Sequence, residues 1–341
     1  MFLYIFILCY LLFCSKFKNQ QIFFLNILVL SIIAGLRTNN IGTDTEAYYD
    51  LFNWINEGYG EHIEIGWRLL NRFVHAIGGS YNLLLWLVSL LTLFPLYYFF
   101  KNNSKNINLC LFIYYSLYAY CNSFNGMRQF LAVSLVFLGY DFLLQRKIIK
   151  YIVFILIAMS FHISSFLAFI PYFLKKLKLT NTLIIISLIS TLFVGLILSD
   201  SIFEIILGPY SHYLTSEHGY RESSTSALIM SVLVSLMFLF LFTTSKNNFK
   251  YNFWVKLYFV GLLIMNITFK LTLGTRAILY FTLLQTVVYP LYFSNTKFFP
   301  KSPVVLGITL YLLLIFLKLL VLGNTSDNPG AIFPYSTILT S

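Results

Sequence analysis

Three arginines stand at the borders of long apolar runs, where a fixed positive charge is costly unless it has a partner. They are Arg37, Arg128 and Arg276. A guanidinium in the first turn of a helix opposes the helix dipole, but together with the free amides there it can bind an anion. We therefore predict that Arg128 and Arg276, with Arg37 as a third candidate, bind a diphosphate. The alternative is an interhelical pair or a side chain that snorkels to the interface.

Three further residues are candidates for acid–base chemistry. His162 interrupts the apolar stretch 148–174, and an imidazole exchanges a proton near neutral pH. Asp44 lies in a Gly-Thr-Asp-Thr turn and Glu64 precedes an amphipathic pattern at 64–77. We predict His162 as the first candidate for a general base, followed by Asp44 and Glu64. The alternatives are a histidine bonded to a backbone carbonyl, a helix N-cap and a solvated carboxylate, respectively.

The composition indicates that these side chains are positioned by a membrane protein. Of the 341 residues, 59% are hydrophobic and only 10% are charged, whereas soluble domains carry about 25% charged residues. The mean hydropathy is +0.79. The four cysteines show no metal-ligand spacing. The net charge of +11 is explained by basic loops better than by nucleic acid, which we do not expect as a partner.

The apolar runs predict an all-α polytopic transmembrane helical bundle with about 11–12 crossings, forming a single membrane domain over 1–341. The stretch 148–174 is too long for one span, so we predict a broken helix pair there. A helix near 64–77 is expected in the first outer loop. The runs are 2–14, 21–36, 81–100, 107–121, 126–144, 148–161, 163–174, 181–199, 227–244, 252–270, 276–293 and 303–322.

Charge in the loops predicts the orientation. Fourteen of the 23 Lys and Arg residues fall in alternate loops, which are therefore expected to be cytoplasmic. The opposite side holds the outer loops 37–80 and 200–226 and the outer C-terminal tail 323–341, with every acidic residue except Asp141. Both termini are then non-cytoplasmic. In the loop 200–226, Tyr210, Tyr213 and Tyr220 are predicted to stack on sugar rings, with an interfacial aromatic belt as the alternative.

At these residues the sequence resembles a known family. The segments LRTNNIGTDTEAYYDLF, EIGWRLLN, NGMRQFLAVSLVFLGYDFLLQRK, IAMSFHISSFLAFIPYFL and AIFPYSTIL are similar to the EpsG-like branch of the Wzy-type polysaccharide polymerases. The resemblance runs from Leu36 to Tyr335. The arginine–GTDT–tyrosine block, the Arg128 block and the Phe161-His162 block, in this order, are specific as a set.

The resemblance implies a glycosyltransferase of the bacterial cytoplasmic membrane that uses undecaprenyl-diphosphate-linked oligosaccharide repeat units on the non-cytoplasmic face. It would transfer the growing glycan to the non-reducing end of a new lipid-linked unit. The family implies no metal and no cofactor. Expected partners are the lipid-linked substrate, the bilayer, and a chain-length regulator and a flippase of the same pathway.

Three other functions remain as alternatives. A flippase or transporter of lipid-linked oligosaccharide would place charges near the midplane and carry a pseudo-repeat, but the arginines here cluster at the outer ends of the runs. A sugar acyltransferase would also use an intramembrane histidine, but an outward-facing His162 does not favour a cytoplasmic donor route. A glycan ligase shares the donor, and the sequence separates it poorly from a polymerase.

Overall fold

The described part of the chain is built from helices joined by short connections. The computed structural model describes residues 1–197, 224–296, 302–322, 332 and 334–339. The helices are α1 Phe2–Cys14, α2 Gln20–Leu36, α3 Thr45–Asn56, α4 Ile65–Ala76, α5 Tyr81–Asn103, α6 Ile107–Ser116, α7 Ala119–Asn122, α8 Met127–Leu144, α9 Ile148–Phe161, α10 Pro171–Leu174, α11 Asn181–Ile197, α12 Ser224–Thr243, α13 Asn247–Lys250, α14 Phe253–Thr268, α15 Thr272–Thr282, α16 Gln285–Asn295 and α17 Ser302–Leu322. Residues Ile163–Phe169 form a 3₁₀ helix.

The predicted all-α polytopic class is confirmed. Among the described residues, five helical stretches are long and apolar enough to cross a bilayer: Tyr81–Asn103, Met127–Leu144, Thr225–Thr243, Arg276–Asn295, which combines parts of α15 and α16, and Pro303–Val321. Shorter apolar helices of 10–17 residues occupy the other predicted runs, and such lengths need neighbours or snorkelling side chains to cover a membrane. The number of crossings and their orientation stay predictions.

Asparagines begin several of these helices. The side chains of Asn19, Asn106 and Asn252 accept hydrogen bonds from the backbone N–H groups of Gln21, Leu109 and Trp254 at 2.7, 3.1 and 2.9 Å. An N-cap of this kind satisfies an amide that would otherwise have no partner at the helix start. Short polar residues between apolar runs therefore set where α2, α6 and α14 begin.

The contacts divide the chain into two compact units. Unit 1 comprises Met1–Phe169 and Ser302–Ser341, and unit 2 comprises Ile170–Lys301. In unit 1, α8 packs against α5 and α9, and α2 packs against α5. In unit 2, α14 packs against α11, α12 and α15. That the whole chain acts as a single membrane domain stays a prediction.

The helices α3 and α4 lie in the predicted outer loop 37–80, and α4 fits the helix expected near 64–77. One face of each is buried in a hydrophobic cluster. This cluster includes Tyr48 and Phe52 of α3, Trp67 of α4 and Tyr81 of α5. Burial of these aromatic side chains is worth several kcal/mol, by the rule of about 25 cal/mol per Å² of apolar surface. The predicted outer loop is therefore a packed layer that can hold functional residues in place.

Three of the predicted spans are interrupted. The run 276–293, expected as one helix, is divided where α15 ends at Thr282 and α16 begins at Gln285. The helix pair expected at 148–174 does break after Phe161, where His162 takes an extended conformation with φ −156° and ψ 115°. The second part, however, begins as a 3₁₀ helix rather than an α-helix. The run 107–121, expected as one helix, breaks at Tyr118, whose φ is +63°. No glycine or proline marks this position, so the sequence pattern does not reveal it.

The C-terminal tail of unit 1 pairs with the chain just after α2. Arg37 and Thr337 form an antiparallel bridge, and the amide of Thr38 donates to the carbonyl oxygen of Ser336 at 3.2 Å. The hydroxyl of Tyr335 donates to the carbonyl oxygen of Ile33 at 2.6 Å. A short tail segment therefore fixes the backbone on which Arg37 stands.

Candidate functional site

The carboxylate of Glu64 joins three separate parts of unit 1. Its Oε2 lies 2.5 Å from Nη1 of Arg128, and its Oε1 lies 3.5 Å from Nδ1 of His162. The backbone amide of Ile163 also donates to Oε1, at 3.4 Å. We call Glu64, Arg128, His162 and the Ile163 amide the Glu64 cluster. It places two of the three candidate bases beside one of the three candidate anion-binding arginines.

Close packing of α4 on the end of α9 brings Glu64 to His162. Glu64 is the residue before α4, and Gly66 lies in the first turn of that helix. A Cβ on Gly66 would stand 2.7 Å from the carbonyl oxygen of Ser160, closer than side chains tolerate. Only glycine lets the two backbones approach this far. The Gly66–Ser160 contact therefore fixes the distance between the carboxylate and the imidazole.

The break after α9 presents both His162 and a free amide. The amide of His162 still bonds to the carbonyl oxygen of Ala158 at 2.9 Å, so the helix ends there. The next amide, that of Ile163, turns to Glu64 instead. Non-helical backbone at membrane depth needs such partners or a wet cavity. The side chain of His162 remains 20% exposed, so its ring is accessible.

The charge on Glu64 is stabilised by its neighbours. Burial alone would raise the pKa of the Glu64 carboxyl, but the His162 imidazole and the Arg128 guanidinium outweigh that effect and lower the pKa to about 2. Glu64 is therefore ionised throughout the physiological range. A carboxylate with so low a pKa is a weak proton acceptor, but it is well suited to orient an imidazole or to hold a guanidinium.

Arg128 stands in the first turn of α8, where the backbone amides have no helical partners. Its guanidinium lies 5.9 Å from the centre of the Tyr48 ring, and 25% of the side chain is exposed. The first turn holds no acidic residue, so the counter-charge comes from Glu64 on another element. The arrangement offers an anion one guanidinium and the positive end of a helix.

Arg37 is buried beside the same helix start. Only 1% of its surface is exposed, and its Nη2 lies 3.5 Å from Sδ of Met127, the residue before Arg128. Its Nη1 donates to the carbonyl oxygen of Ala34 at 2.5 Å, and its guanidinium lies 4.4 Å from the centre of the Phe124 ring. In the described part of the chain no carboxylate pairs with it, and its Nε has no hydrogen-bond partner.

Asp44 takes the N-cap position of α3 without using its side chain as a cap. Within the described residues, no hydrogen bond or ion pair joins it to the Glu64 cluster. The turn before it requires glycine, because Gly42 has a φ of +93° and a Cβ there would stand 2.6 Å from Oδ1 of Asn125. This turn therefore packs α3 against the residues that precede α8.

The remaining predicted site residues lie elsewhere. Arg276 belongs to unit 2, where it is an exposed residue of α15. Tyr210, Tyr213 and Tyr220 lie outside the described residues. The diphosphate role of Arg276 and the glycan role of the tyrosines stay predictions.

The sequence analysis missed two members of this region. The Ile163 amide could have been anticipated, since a break placed at Phe161-His162 frees the amides that follow it. No sequence pattern indicated the contact of Tyr48 with Arg128, because 80 residues separate them in the chain. Nor did any pattern indicate that Glu64 would be the residue shared by Arg128 and His162.

The comparisons with known proteins identify the family. The model of the EpsG family matches residues 20–337. That range contains α2 to α17 and all members of the Glu64 cluster. No curated protein and no solved structure matches the chain.

Proposed function

The chain belongs to the EpsG family, and from this premise we propose that it is a glycosyltransferase that polymerises lipid-linked oligosaccharide repeat units. The donor is the growing glycan on undecaprenyl diphosphate, and the acceptor is the non-reducing end of a new lipid-linked unit. The observation that carries the proposal is the Glu64 cluster, in which one carboxylate contacts a helix-terminal arginine and an accessible histidine. A reaction that releases a diphosphate and deprotonates a hydroxyl needs those two groups.

Arg128 is assigned to the diphosphate. As the bond between the anomeric carbon and the phosphate oxygen breaks, negative charge grows on the leaving diphosphate. A guanidinium and helix-terminal amides offset that charge without reorganising during the reaction. Because Arg128 pairs with Glu64 in the free protein, an incoming diphosphate competes with the carboxylate for the guanidinium. Arg37 is a further candidate for the same anion, and Arg276 of unit 2 is proposed separately as a residue that binds a diphosphate.

His162 is assigned as the general base. The Oε1 atom of Glu64 lies beside Nδ1, an arrangement that favours the proton on that nitrogen and leaves Nε2 to accept another. The acceptor hydroxyl oxygen attacks the anomeric carbon, its proton passes to Nε2, and the lipid diphosphate leaves with the electrons of the broken bond. Glu64 then stabilises the imidazolium. Asp44 is the remaining carboxylate candidate.

The proposed location is the bacterial cytoplasmic membrane, with the site open to the periplasm or the exterior. The charge pattern of the loops supports this orientation. Donor and acceptor are both lipid-linked, so they can approach laterally within the outer leaflet. A flippase would supply them, and a chain-length regulator would act on the product. Tyr210, Tyr213 and Tyr220 are candidates for contact with the glycan, and the reaction is proposed to need no metal.

Purified protein in detergent, given defined undecaprenyl-diphosphate-linked repeat units, tests the function. We expect a ladder of lipid-linked oligomers, formed equally well in the presence of a chelator. His162→Gln should abolish the ladder while the unit still binds, and His75→Gln, at an exposed histidine of α4, should leave it intact. Absence of oligomers with the wild-type chain would reject polymerisation.

Deletion of the chromosomal copy separates the alternatives. Loss of a polymerase leaves single repeat units attached to their final carrier. Loss of a ligase leaves no attached glycan, and loss of a flippase traps precursors inside the cell. The polymerase proposal requires the first of these glycan profiles, and either of the others contradicts it.

A further inference from the structure

The outward face of α3 carries a groove that the Glu64 cluster does not use. Its volume is about 510 Å³, and its walls include Asp50, Asn53, Trp54 and Glu57. Asn53 and Trp54 lie three and four residues after Asp50, and Glu57 lies three and four residues after Trp54 and Asn53, so the four positions share one side of the helix. The opposite side, with Tyr48, Phe52 and Ile55, is buried in the core. The groove is therefore formed by the solvent-exposed side of a fixed helix.

Two aromatic rings are ordered at the end of this groove. The rings of Trp54 and Tyr59 stack with centroids 5.9 Å apart and planes 19° apart. The end of α3 imposes the pairing, because the amide of Tyr59 donates to the carbonyl oxygen of Trp54 at 3.1 Å and Gly58 adopts a φ of +101°. The backbone therefore holds this pair of stacked rings in place, and the pair needs no ligand to form.

The rings are exposed to a degree that helix packing does not require. Trp54 is 41% and Tyr59 is 56% exposed, and His62 lies against the Trp54 ring at 5.4 Å. An aromatic belt at the membrane interface is the ordinary explanation for exposed Trp and Tyr. The charge around these two rings argues against this explanation. Residues 44–61 contain five acidic residues and no Lys or Arg, although the net charge of the whole chain is +11. Anionic headgroups would be repelled.

We propose that this groove binds an uncharged stretch of the glycan chain. The proposal rests on the proposed function and adds to it a subsite for the sugar part of the substrate. The face of the Trp54 ring that is not stacked on Tyr59 would pack against the apolar face of a sugar. The carboxylates of Asp50 and Glu57 and the amide of Asn53 would bind its hydroxyls. The acidic surface disfavours anionic sugars. Phosphate and sugar are then held by regions of opposite charge, Arg128 on one side of α3 and the groove on the other.

Binding of lipid-free glycan to the full-length protein in detergent tests the subsite. The probe is the producing cell's own polymer, released from its lipid by mild acid. We expect Trp54→Ala to weaken binding about tenfold, the effect of losing a ring contact, and Trp54→Phe to retain most of it. The matched control is Phe73→Ala, at an exposed ring of α4, which should bind as the wild type does.

Each result has a defined meaning. Wild-type binding that is unchanged from roughly 50 to 500 mM salt supports an uncharged ligand, and steep loss with salt overturns that assignment. If the wild type polymerises lipid-linked units but Trp54→Ala binds released glycan normally, the groove is not the subsite and the function stands. If the wild type polymerises lipid-linked units but binds no released glycan, the subsite proposal also fails and the function stands. If the wild type does not polymerise, the proposed function itself fails.

Discussion

Glu64 and Arg128 form an ion pair between two elements that are distant in the chain, with Oε2 2.5 Å from Nη1. The pair is partly shielded, since 18% of the Glu64 side chain and 25% of the Arg128 side chain are exposed. At such burial, removing one partner costs more than removing a surface pair, because the remaining charge loses its counter-ion. The pair therefore links the stability of the layer formed by α3 and α4 to the residues proposed for chemistry.

The pH dependence of stability should reveal this link. The pKa of Glu64 is lowered from 4.5 to about 2, so its ionised form stabilises the fold above pH 4.5, and that stabilisation disappears as pH falls towards 2. The contribution is on the order of 3 kcal/mol. The unfolding temperatures of wild type and Glu64→Gln, measured in detergent, should differ by a constant amount above pH 5. The gap should narrow at lower pH, and a gap that does not change from pH 6 to pH 3 would contradict the pairing.

Arg128 should be needed for chain growth beyond the stability that its ion pair with Glu64 contributes. Arg128→Ala is expected to lower polymer formation at least a hundredfold, because the leaving diphosphate loses a preorganised cation worth about 3 kcal/mol. Arg128→Lys should restore only part of the activity, since a point charge replaces a bidentate fork. Polymer length on gels measures the effect. Arg72→Ala, at an exposed arginine of α4, is the control, and polymer of normal length from Arg128→Ala would remove the anion role.

Arg37 allows a structural role to be separated from a functional one. A buried guanidinium without a carboxylate partner is expensive, so replacing it by an apolar side chain of similar length should leave stability unchanged or raise it by about 1–3 kcal/mol. We expect Arg37→Met to melt at or above the wild-type temperature and to polymerise at least tenfold more slowly. A variant that melts lower and retains activity would indicate that Arg37 serves packing alone.

Gly42 should be intolerant of any side chain. Gly42→Ala places a Cβ 2.6 Å from Oδ1 of Asn125 and forces alanine to a φ of +93°, which should cost about 1–3 kcal/mol. The control is Gly307→Ala in α17, where a Cβ meets no atom within 4 Å and helix propensity improves by about 1 kcal/mol. The unfolding temperature should therefore fall for Gly42→Ala and rise for Gly307→Ala. Equal shifts in the two variants would contradict the predicted steric conflict at Gly42.

Hydropathy and charge predicted the elements of this protein well, because each depends on local composition. The excess length of the stretch 148–174 and the lysines after it located the break at His162. Contacts between distant segments had no such signal: nothing near Glu64 indicates Arg128, and nothing near Arg37 indicates Thr337. The break at Tyr118 was missed because tertiary packing, rather than glycine or proline, maintains its left-handed backbone.

The exposed groove of α3 was missed for a different reason. In the sequence of α3, the aromatic and acidic residues of the groove are interleaved with the residues of the buried face. The segment therefore shows no separate block of residues that would indicate a groove. Only the positions of Phe52 and Ile55 in the core show which residues remain outside. A helical projection separates two faces, but it does not show that the polar one carries an open groove.

The bridge between the C-terminal tail and the chain after α2 bears on the order of biosynthesis. Thr38 and Ser336 share a side-chain hydrogen bond at 2.6 Å although 298 residues separate them. During translation α2 leaves the ribosome long before its partner exists, and contacts of such sequence separation close late. The backbone that carries Arg37 therefore pairs with Ser336 and Thr337 only after the intervening helices have been synthesised. In a partly translated chain, this contact of the Arg37 backbone would not yet have formed.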